Sequence, residues 1–322
     1  MATQEITYWV NGAFVPASQA VVPLNSRGYR LGDGVFDTER TFNGSIFRLK
    51  EHLERLDKSL RMTRIHLGMS LDDLAAATDE TMRRNLPLLE THGDFWVTQT
   101  VSRSGGKSVL DEQPAFVSII VEPLSFARFA PYYTKGMPVV TPSVRSSASI
   151  GLDPKIKSTS RLNMVLADLE AKQRDPDAMS ALLDEQGNLA EVLYGNLFVV
   201  RKGTIRTPGS RGILEGITRA TTIELARKQG VSVEEAELTP YDLYAADEAF
   251  ATTTSYCIMP VGTLNGSPIG KAVPGALTRK LTDAWRDLVG LDFVAQMQHY
   301  AARATQPHPV PAAPGASRAA AR

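Results

Sequence analysis

The sequence predicts an α+β fold with two subdomains. Short β-prone runs alternate with helix-patterned segments, glycine-containing pairs separate neighbouring β-prone runs, and a polar and aromatic stretch without a clear period lies at residues 123–135. Strands joined by tight hairpins and mixed with separate helices are typical of α+β proteins. We therefore expect a smaller N-terminal α/β domain at residues 1–122, a linker at 123–135 and a larger domain at 136–295.

Hairpins and helices are predicted in the N-terminal part. Asn-Gly pairs at residues 11–12 and 43–44 predict two hairpins, because both residue types tolerate the positive φ of a tight turn. Leucines three and four residues apart predict a helix: Leu53, Leu56 and Leu60. Ser70 is expected to cap the next helix. Two apolar runs, 95–101 and 115–121, predict buried strands.

The C-terminal part is predicted to mix strands and helices as well. Residues 137–144 and 180–198 are predicted to be strands, and a helix is expected to run from Thr218 to Gln229. A second helix-patterned segment has apolar residues in a helical stripe: Leu162, Val165, Leu166 and Leu169. From residue 296 the composition shifts to Ala, Pro, Arg and His without periodicity, which predicts a disordered tail at 296–322.

Composition places the chain among globular proteins and excludes several function classes. It has 322 residues, of which 43% are apolar and 22% charged. Thirty-five basic residues balance 35 acidic ones, so no global field favours nucleic acid or an anionic membrane. The single cysteine, Cys257, allows no internal disulfide and suits a reducing compartment. No apolar run approaches the ~20 residues that span a bilayer, and the N-terminus lacks a signal-peptide pattern, so the expected location is the cytoplasm.

Two lysines, Lys155 and Lys157, lie where a β-prone stretch gives way to a helix-patterned one. On a strand both would face the same side, so their spacing alone cannot choose between them. In isolation each is more typical of a surface than of a site. A lysine amine forms a Schiff base only when it is neutral, and burial or a cationic neighbour promotes that state.

Three further segments offer groups that such a lysine could use. Glu191 precedes a tight Gly195-Asn196 element, and a carboxylate can keep a pyridinium nitrogen protonated. Gly216 opens a helix, whose free amides can bind a phosphate. Small hydroxylated residues follow in a β-prone run: Thr252, Thr253, Thr254 and Ser255. Each feature alone is more typical of a turn or a strand end than of a site, but together they suit a pyridoxal-phosphate (PLP) site.

The order of these segments resembles that of the class IV, fold-type IV PLP-dependent aminotransferases. That group contains branched-chain aminotransferases, D-amino acid aminotransferases, (R)-selective amine transaminases and aminodeoxychorismate lyase. The resemblance covers roughly residues 5–290 and rests on segments in the family's order: 27–36, 51–56, 156–158, 191–198, 214–219 and 246–261. It implies a smaller N-terminal α/β domain and a larger, β-barrel-like, PLP-binding domain.

The resemblance also implies roles for individual residues. Lys157, not Lys155, corresponds to the lysine that carries the cofactor as an internal aldimine, because the family lysine directly precedes the serine-containing segment that opens a helix. Glu191 corresponds to the carboxylate at the pyridine nitrogen and Arg55 to the phosphate arginine. Further cofactor-binding positions are Asn196, Gly216, Ile217, Thr218, Thr253, Thr254 and Arg161. Many members have a tyrosine near Arg161, so this arginine either contacts a cofactor oxygen or pairs elsewhere.

The substrate side of the site is predicted from a strand face. Phe36, Thr38 and Arg40 share one face by the two-residue period of a strand, and the resemblance points that face at the substrate. Arg40 is a candidate for binding a substrate carboxylate, with an exposed strand arginine as the alternative. Leu31 and Val97 complete the expected substrate-side positions, and Val97 stands where branched-chain enzymes have an arginine.

The predicted function is that of a PLP-dependent transaminase without a metal ion. It would move an amino group between an amino acid or primary amine and a 2-keto acid by a ping-pong mechanism. The donor stays open among L-branched-chain amino acids, D-amino acids and (R)-amines, and a homodimer or higher homo-oligomer is implied. The alternatives are an aminodeoxychorismate lyase, which forms 4-aminobenzoate and pyruvate, and a non-catalytic PLP-binding protein.

Overall fold

The computed structural model describes residues 5–104, 113–146 and 151–303. Within these ranges the strands form two large sheets, and a separate hydrophobic cluster packs on each. This mixture of helices and largely antiparallel sheets confirms the predicted α+β class. In the same ranges no helix is both long and apolar enough to cross a membrane.

The first sheet belongs to the N-terminal part and is antiparallel throughout its described pairings. Its strands are β1 Thr7–Val10, β2 Ala13–Pro16, β3 Gly34–Phe42, β4 Ser45–Ile46, β5 Phe95–Ser102 and β6 Phe116–Pro123. They lie in the order β2-β1-β6-β5-β3-β4. The helices here are α1 Arg27–Leu31, α2 Leu49–Thr63, α3 Leu71–Asn85 and α4 Leu89–His92. The predicted leucine stripe of α2 is buried against the sheet.

Local sequence signals determine the turns and caps of this region. The Asn-Gly pairs have positive φ at both residues: 45° and 95° at residues 11–12, and 50° and 78° at 43–44. Such turns match the twist of the strands that they join, which confirms both hairpins. At the start of α3, the Asp73 amide donates to Ser70 Oγ at 3.0 Å, as the capping prediction requires.

The second sheet closes into a barrel. Its strands are β7 Met137–Val140, β8 Met179–Leu183, β9 Leu189–Val192, β10 Gly195–Arg201, β11 Thr204–Thr207, β12 Val233–Glu235, β13 Glu248–Thr253, β14 Cys257–Leu264 and β15 Ser267–Pro268. The described order is β12-β11-β10-β13-β14-β7-β8-β9, and β9 also pairs with β10. The ring from β10 round to β9 is therefore continuous, which agrees with the barrel-like domain that the resemblance implied.

Helices cover the barrel and correct two predictions. They are α5 Phe126–Phe129, α6 Tyr132–Lys135, α7 Leu162–Arg174, α8 Ile217–Lys228, α9 Pro240–Tyr244, α10 Ala276–Val289 and α11 Phe293–Arg303. The predicted linker at 123–135 contains α5 and α6, whose aromatic residues are buried in the barrel's cluster. It lacks a period because two short helices point several aromatic residues inward.

The tail predicted from residue 296 starts too early. Helix α11 continues to Arg303, Met297 is fully buried, and the Tyr300 ring stacks on Phe126 with centroids 5.0 Å apart. The alanine-rich composition of this segment gives no clear apolar period. The segment is nevertheless helical, because its few large residues pack against the rest of the protein. Residues 304–322 lie outside the described residues, and the domain boundaries at 122 and 136 stay predictions.

Strand β3 positions the site, because its two faces have different surroundings. Val35, Asp37 and Glu39 face α2 and are completely buried. Phe36 and Thr38 face the other way and are half-buried. The strand thus separates the core of the N-terminal part from the space between the two sheets.

Candidate active site

One pocket collects most of the predicted cofactor residues. It lies where α2, the segment 157–164, the β9–β10 turn, the start of α8 and the end of β13 meet. Its lining comprises Arg55, Lys157, Arg161, Met164, Glu191, Tyr194, Gly195, Asn196, Leu214, Gly216, Ile217, Thr218, Thr252, Thr253 and Thr254. Segments from distant parts of the chain therefore converge, and they are the segments that carry the family's motifs.

The structure separates the two candidate lysines. Lys155 has a side chain that is 39% exposed and its amine lies 3.5 Å from Asp153. Lys157 is half-buried, and it lines the pocket with Nζ 4.7 Å from the ring centroid of Phe36. Burial, with help from the cations Arg161 and Arg55, lowers the pKa of Lys157 to about 7. Lys157 alone of the two therefore places a readily neutralised amine in the pocket.

Backbone contacts hold Lys157 in place. The Phe36 amide donates to the Lys157 carbonyl at 2.9 Å, and the Lys157 amide donates to Ser59 Oγ at 3.2 Å. The backbone of Lys157 is thus hydrogen-bonded to β3 on one side and to α2 on the other. Such attachment limits where the long side chain can place its nitrogen.

Glu191 lies in the same pocket and is buried. Its Oε1 accepts a hydrogen bond from the Leu214 amide at 2.8 Å, and Asn196 Nδ2 lies 3.5 Å from it. Burial raises the pKa of Glu191 to about 7, although Leu214 and the nearby cations oppose the rise. A positively charged ring nitrogen at this carboxyl would stabilise its ionised form.

Arg55 reaches the pocket from a buried ionic cluster. Its Nε and Nη2 donate to the two oxygens of Asp37 at 2.8 and 2.6 Å, and Nη1 donates to the Glu215 carbonyl at 3.0 Å. The His52 ring nitrogen Nδ1 lies 2.8 Å from the same carboxylate. Burial alone would raise the pKa of Asp37, but Arg55 and His52 hold it below its usual range.

The opposite wall offers donors for an anion. Gly216 is the N-cap of α8, so the first amides of this helix point into the pocket region without intrahelical partners. Thr252 contributes a buried hydroxyl that has no partner among the described residues. A Cβ on Gly216 would collide with the turn, because it would lie 2.2 Å from Asn196 Oδ1.

Arg161 and Phe36 lie beside the lysine. The Arg161 guanidinium carbon is 5.3 Å from the Phe36 ring centroid, and its Nε has no partner among the described residues. Burial lowers the pKa of Arg161. Thr38 is close by: its hydroxyl lies 3.0 Å from that of Thr98, and its carbonyl accepts from Thr254. Phe36 and Arg161 therefore lie beside Lys157, and Thr38 contacts Thr254 of the pocket lining.

Arg40 is neither exposed nor directed at the pocket. Its Nη1 donates to the Ser255 carbonyl at 3.1 Å, and its guanidinium carbon lies 4.2 Å from the ring centroid of Phe42. The alternative of an exposed strand arginine is thus wrong, and the role of Arg40 in binding a substrate carboxylate stays a prediction. The reason is that the end of β3 packs against the barrel, so its long side chain meets the 254–256 turn instead of open space.

Two further substrate-side residues lie away from the pocket in the single chain, and their roles stay predictions. Val97 is completely buried in the N-terminal cluster, on the face that carries Glu39. Leu31 ends α1 and is 60% exposed, away from the residues that line the pocket.

The residues behind Arg55 were not predicted from the sequence. Asp37 and Glu39 alternate with Phe36 and Thr38, and His52 precedes Arg55 by three residues on α2. The sequence does contain a signal for this cluster. Two acids have the two-residue spacing of one strand face, and a histidine and an arginine have the three-residue spacing of one helix face. This signal was missed because only the outward face of β3 was considered as a site.

A larger groove lies elsewhere and contains none of the predicted residues. Its volume is about 680 Å³, and its lining includes Asp184, Glu185, Arg211, Glu235 and Glu237. The volume of a cavity alone would therefore favour this groove as the functional site. The smaller pocket brings together the lysine, carboxyl and arginine.

The chain matches a known sequence family over most of its length. The family described as amino-transferase class IV matches residues 34–264. A protein of Methanocaldococcus jannaschii named "Putative branched-chain-amino-acid aminotransferase" is 33% identical over 287 residues, covering 87% of this chain and 95% of that protein. A D-alanine aminotransferase of Listeria monocytogenes is 30% identical, covering 84% and 92%.

Solved structures show the same fold. The branched-chain aminotransferase of the archaeon Thermoproteus uzoniensis, determined with norvaline, has a TM-score of 0.78 at 29% sequence identity. The match covers 89% of this chain and 96% of that one. Another branched-chain amino acid aminotransferase was determined with pyridoxamine 5'-phosphate and has a TM-score of 0.81 at 30% identity. The protein is therefore a class IV aminotransferase of fold type IV, similar to both branched-chain and D-alanine aminotransferases.

Proposed function

We propose that this aminotransferase uses PLP attached to Lys157 and moves amino groups between an amino acid and a 2-keto acid by a ping-pong mechanism. The observation that carries the proposal is the convergence of Lys157, Glu191 and Arg55 in one buried pocket. Each supplies a charge or a nucleophile that the cofactor's aldehyde, ring nitrogen and phosphate require.

The donor set of the pocket fits PLP. Arg55 Nη1, the first amides of α8 and the unpartnered Thr252 hydroxyl suit a phosphate.

The chain's own groups have distinct tasks in this mechanism. When bound, PLP supplies the electron sink that acidifies the α-hydrogen of the amino substrate. Lys157 Nζ, with a pKa of about 7, accepts that proton and returns it at the neighbouring carbon. Glu191 holds negative charge at the inner end of the pocket, and Arg55 with the start of α8 holds the phosphate at the other end.

The donor class proposed is amino acids, because the relatives are named for branched-chain amino acids and D-alanine. Arg40 donates to the Ser255 carbonyl in the single chain, so its contacts do not add support for a carboxylate-binding site. A spectral screen with L-leucine, D-alanine and (R)-1-phenylethylamine distinguishes the three donor classes. The expected result is loss of the visible absorbance of the holoenzyme with one amino acid; loss with the amine alone contradicts the proposed donor class.

The lysine assignment has a matched pair of variants. Lys157→Ala is expected to lose the visible absorbance and all transaminase activity while keeping its fold, because no second amine lines the described pocket. Lys155→Ala is the control and is expected to behave like the wild type, since Lys155 points to solvent. An adduct at Lys155, trapped by borohydride in Lys157→Ala, contradicts the assignment.

A second candidate is the lyase that forms 4-aminobenzoate and pyruvate. It is favoured by Arg161, which lines the pocket with Lys157, and by Thr38, which contacts Thr254 of that lining; both match residue types found in such enzymes. It predicts release of pyruvate from aminodeoxychorismate without any amino acceptor. A reaction that stalls until a keto acid is added supports the transaminase instead.

We also propose that the enzyme is a homodimer. Apolar residues of α7 and of the 21–31 region remain exposed on the single chain: Val21, Val22, Leu24, Leu31, Leu162, Val165, Leu166 and Leu169. Exposed apolar surface of this kind is typical of an interface between chains. A second copy also provides a place for Leu31, which the single chain leaves away from its own pocket.

A further inference from the structure

A second acid lies behind the Arg55–Asp37 pair, and the mechanism above does not use it. Glu39 is completely buried on the inner face of β3, two residues from Asp37. His52 and Arg55 face this pair from α2, with His52 Nδ1 3.9 Å from Glu39 Oε1. Gln99 of β5, which is also completely buried, lies directly opposite Asp37 in the sheet.

The two acids differ in their partners. Asp37 receives two hydrogen bonds from Arg55, and His52 lies within hydrogen-bonding distance. Both oxygens of Glu39 lack a partner among the described residues, and so does the neighbouring Gln99 Oε1. A buried carboxylate without well-formed hydrogen bonds is strongly disfavoured, whereas a neutral carboxyl group can also donate its hydrogen to an amide oxygen such as that of Gln99.

Charge favours the same arrangement. Burial and the negative charge of Asp37 raise the pKa of Glu39 well above its usual range, although contacts with Gln99 and Arg55 oppose the rise. Burial lowers the pKa of His52, so the ring is neutral near neutral pH. The charged or titratable groups that face Glu39 are thus Asp37, His52 and Arg55, with Lys157 beyond them. The Arg55 guanidinium is the cation of this cluster, and it balances the charge of Asp37.

We propose that Glu39 is a buried proton-holding residue whose neutral form is needed for tight binding of the cofactor's phosphate at Arg55. The inference rests on the phosphate role proposed for Arg55. One acid, Asp37, fixes the guanidinium and leaves Nη1 directed at the Glu215 turn next to the start of α8. An ionised Glu39 would add a second negative charge behind the guanidinium and weaken its attraction for an anion. This electrostatic effect is strong in the protein interior, because little solvent screens the interaction between Glu39 and Arg55.

Glu39 is in this sense a positioning residue, because it acts on the phosphate through Arg55. Release of its proton at alkaline pH is expected to lower phosphate affinity, and phosphate binding is expected to hold the proton in place. The two effects are reciprocal, as linkage requires. A purely structural role for Glu39 would change stability but would not change how affinity depends on pH.

The test measures the affinity of the cofactor-free protein for pyridoxamine 5'-phosphate from about pH 6 to about pH 10. This probe carries the phosphate but no aldehyde, so it forms no bond to Lys157. In Glu39→Gln the amide mimics a permanently neutral carboxyl group. The expected result is that wild-type affinity falls by about tenfold relative to Glu39→Gln at the alkaline end, as one pKa unit of coupling implies.

Controls separate Glu39 from the other titrating groups. Ionisation of the probe and of Lys157 affects the wild type and Glu39→Gln equally, so only the difference between their profiles counts. Glu54→Gln removes an exposed charge next to Arg55 on α2 and is expected to follow the wild type. Glu39→Leu, which is neutral but makes no hydrogen bond, is expected to follow Glu39→Gln and serves as the second variant if that protein is poorly folded.

The outcomes distinguish the two proposals. Parallel profiles for the wild type and both Glu39 variants overturn the role of Glu39 and leave the proposed function intact. Failure of the wild type to bind the probe at any pH overturns the phosphate role of Arg55, and the role of Glu39 with it. A widening difference that appears only at alkaline pH supports the inference.

Discussion

The fold controls the ionisation of single residues in the pocket. Lys157 and Glu191 share one buried pocket, and the pKa of each lies at about 7. Burial shifts the two groups in opposite directions, since it disfavours the charged form of both. A lysine amine that is easily neutralised can accept a proton near neutral pH, and a cation beside the Glu191 carboxyl group would favour its ionised form.

The pH dependence of Lys157 leads to the first prediction. Because its pKa in the folded protein is lowered to about 7, the neutral amine is scarce below that pH and abundant above it. The rate of PLP capture by the cofactor-free protein should therefore rise through about pH 7 and then level off. Absorbance-monitored PLP capture over a pH series measures the midpoint.

Arg161 should influence that midpoint. Arg161→Met removes the second-largest cause of the lowered pKa of Lys157, so its midpoint is expected to move to higher pH. Burial, the largest cause, remains, and the midpoint should stay below the ordinary lysine value of 10.5. Arg161→Lys keeps the positive charge and is the matched control. Equal midpoints in all three proteins would contradict this electrostatic role.

Glu39 provides a prediction about stability. Its raised pKa means that the folded protein keeps a proton that the unfolded chain releases above the ordinary value of 4.5. The free energy of unfolding therefore falls as pH rises from that ordinary value towards the folded pKa. Glu39→Gln is expected to be more stable than the wild type at alkaline pH by about 1–3 kcal/mol.

Thermal unfolding of the cofactor-free proteins at several pH values measures this difference. The gain in Tm should shrink toward acidic pH, where the wild-type carboxyl group is neutral in both states. A gain that stays constant at all pH values would mean that packing, not charge, causes it. Glu54→Gln again serves as the exposed control.

At the scale of elements, the start of α8 is expected to bind the phosphate. Gly216→Ala introduces a Cβ that would lie 2.2 Å from Asn196 Oδ1, and it must displace the turn that aims the first amides of α8. We expect the affinity for pyridoxamine 5'-phosphate to fall by about tenfold or more, which corresponds to overpacking of roughly 1–3 kcal/mol.

A matched glycine makes this experiment specific. A methyl group on Gly209, in the loop before α8, would have no other atom within 4 Å. Gly209→Ala should therefore bind the probe as the wild type does. Isothermal titration of both variants gives the comparison, and equal affinities would show that the start of α8 does not contact the phosphate.

Helix α11 gives a prediction about truncation. Removing residues 296–322, as the sequence boundary suggests, deletes the buried Met297 and the Tyr300–Phe126 stack. Loss of these contacts is expected to cost about 2–5 kcal/mol. Removing only residues 304–322 should leave Tm close to that of the full chain. Differential scanning calorimetry of the two truncated proteins and the full chain tests the boundary.

At the scale of the whole molecule, the site lies between the two sheets. The Thr254 hydroxyl donates to the Thr38 carbonyl, and Arg55 Nη1 donates to the Glu215 carbonyl. These two hydrogen bonds join the N-terminal part to the barrel at the pocket. The N-terminal sheet and α2 supply the arginine, while the barrel supplies Glu191 and the helix start. Neither part contains a complete pocket by itself.

The exposed face of α7 yields the last prediction. Leu162 is 70% exposed and Leu166 lies four residues on, one helical turn along the same face. Leu162→Glu combined with Leu166→Glu places two charges in the proposed dimer interface and should halve the molar mass measured by light scattering. Met62→Glu alters a similarly exposed residue on α2 and should leave the mass unchanged. A wild-type protein that is already monomeric contradicts the dimer.

Much of this organisation was predictable from local sequence. Asn-Gly pairs, the Ser70 cap and the leucine stripe of α2 depend on residues a few positions apart, and all three were confirmed. The ordered motifs also identified the family, because a lysine, a carboxylate and a helix-opening glycine each need a particular residue type.

The surroundings of Arg40 and Val97 and the end of the last helix were not predictable from local sequence. They depend on what packs against β3, β5 and α11. Periodicity states which residues share a face, but it does not state which face meets the pocket or how far a long side chain extends. The apolar stripe of α7 shows the same limit, because its pattern is typical of a core and its residues are exposed on the single chain.

The sequence by itself determined the family and the hairpins, because these depend on residue type and short spacing. Only the tertiary structure decided that Lys157 lines the pocket while Lys155 pairs with Asp153 outside it, and that Glu39 lies behind Arg55 without a partner among the described residues. Burial and charge pairing depend on residues that are distant in sequence. Their effect on a pKa appears only when the fold brings those residues together and removes the water between them.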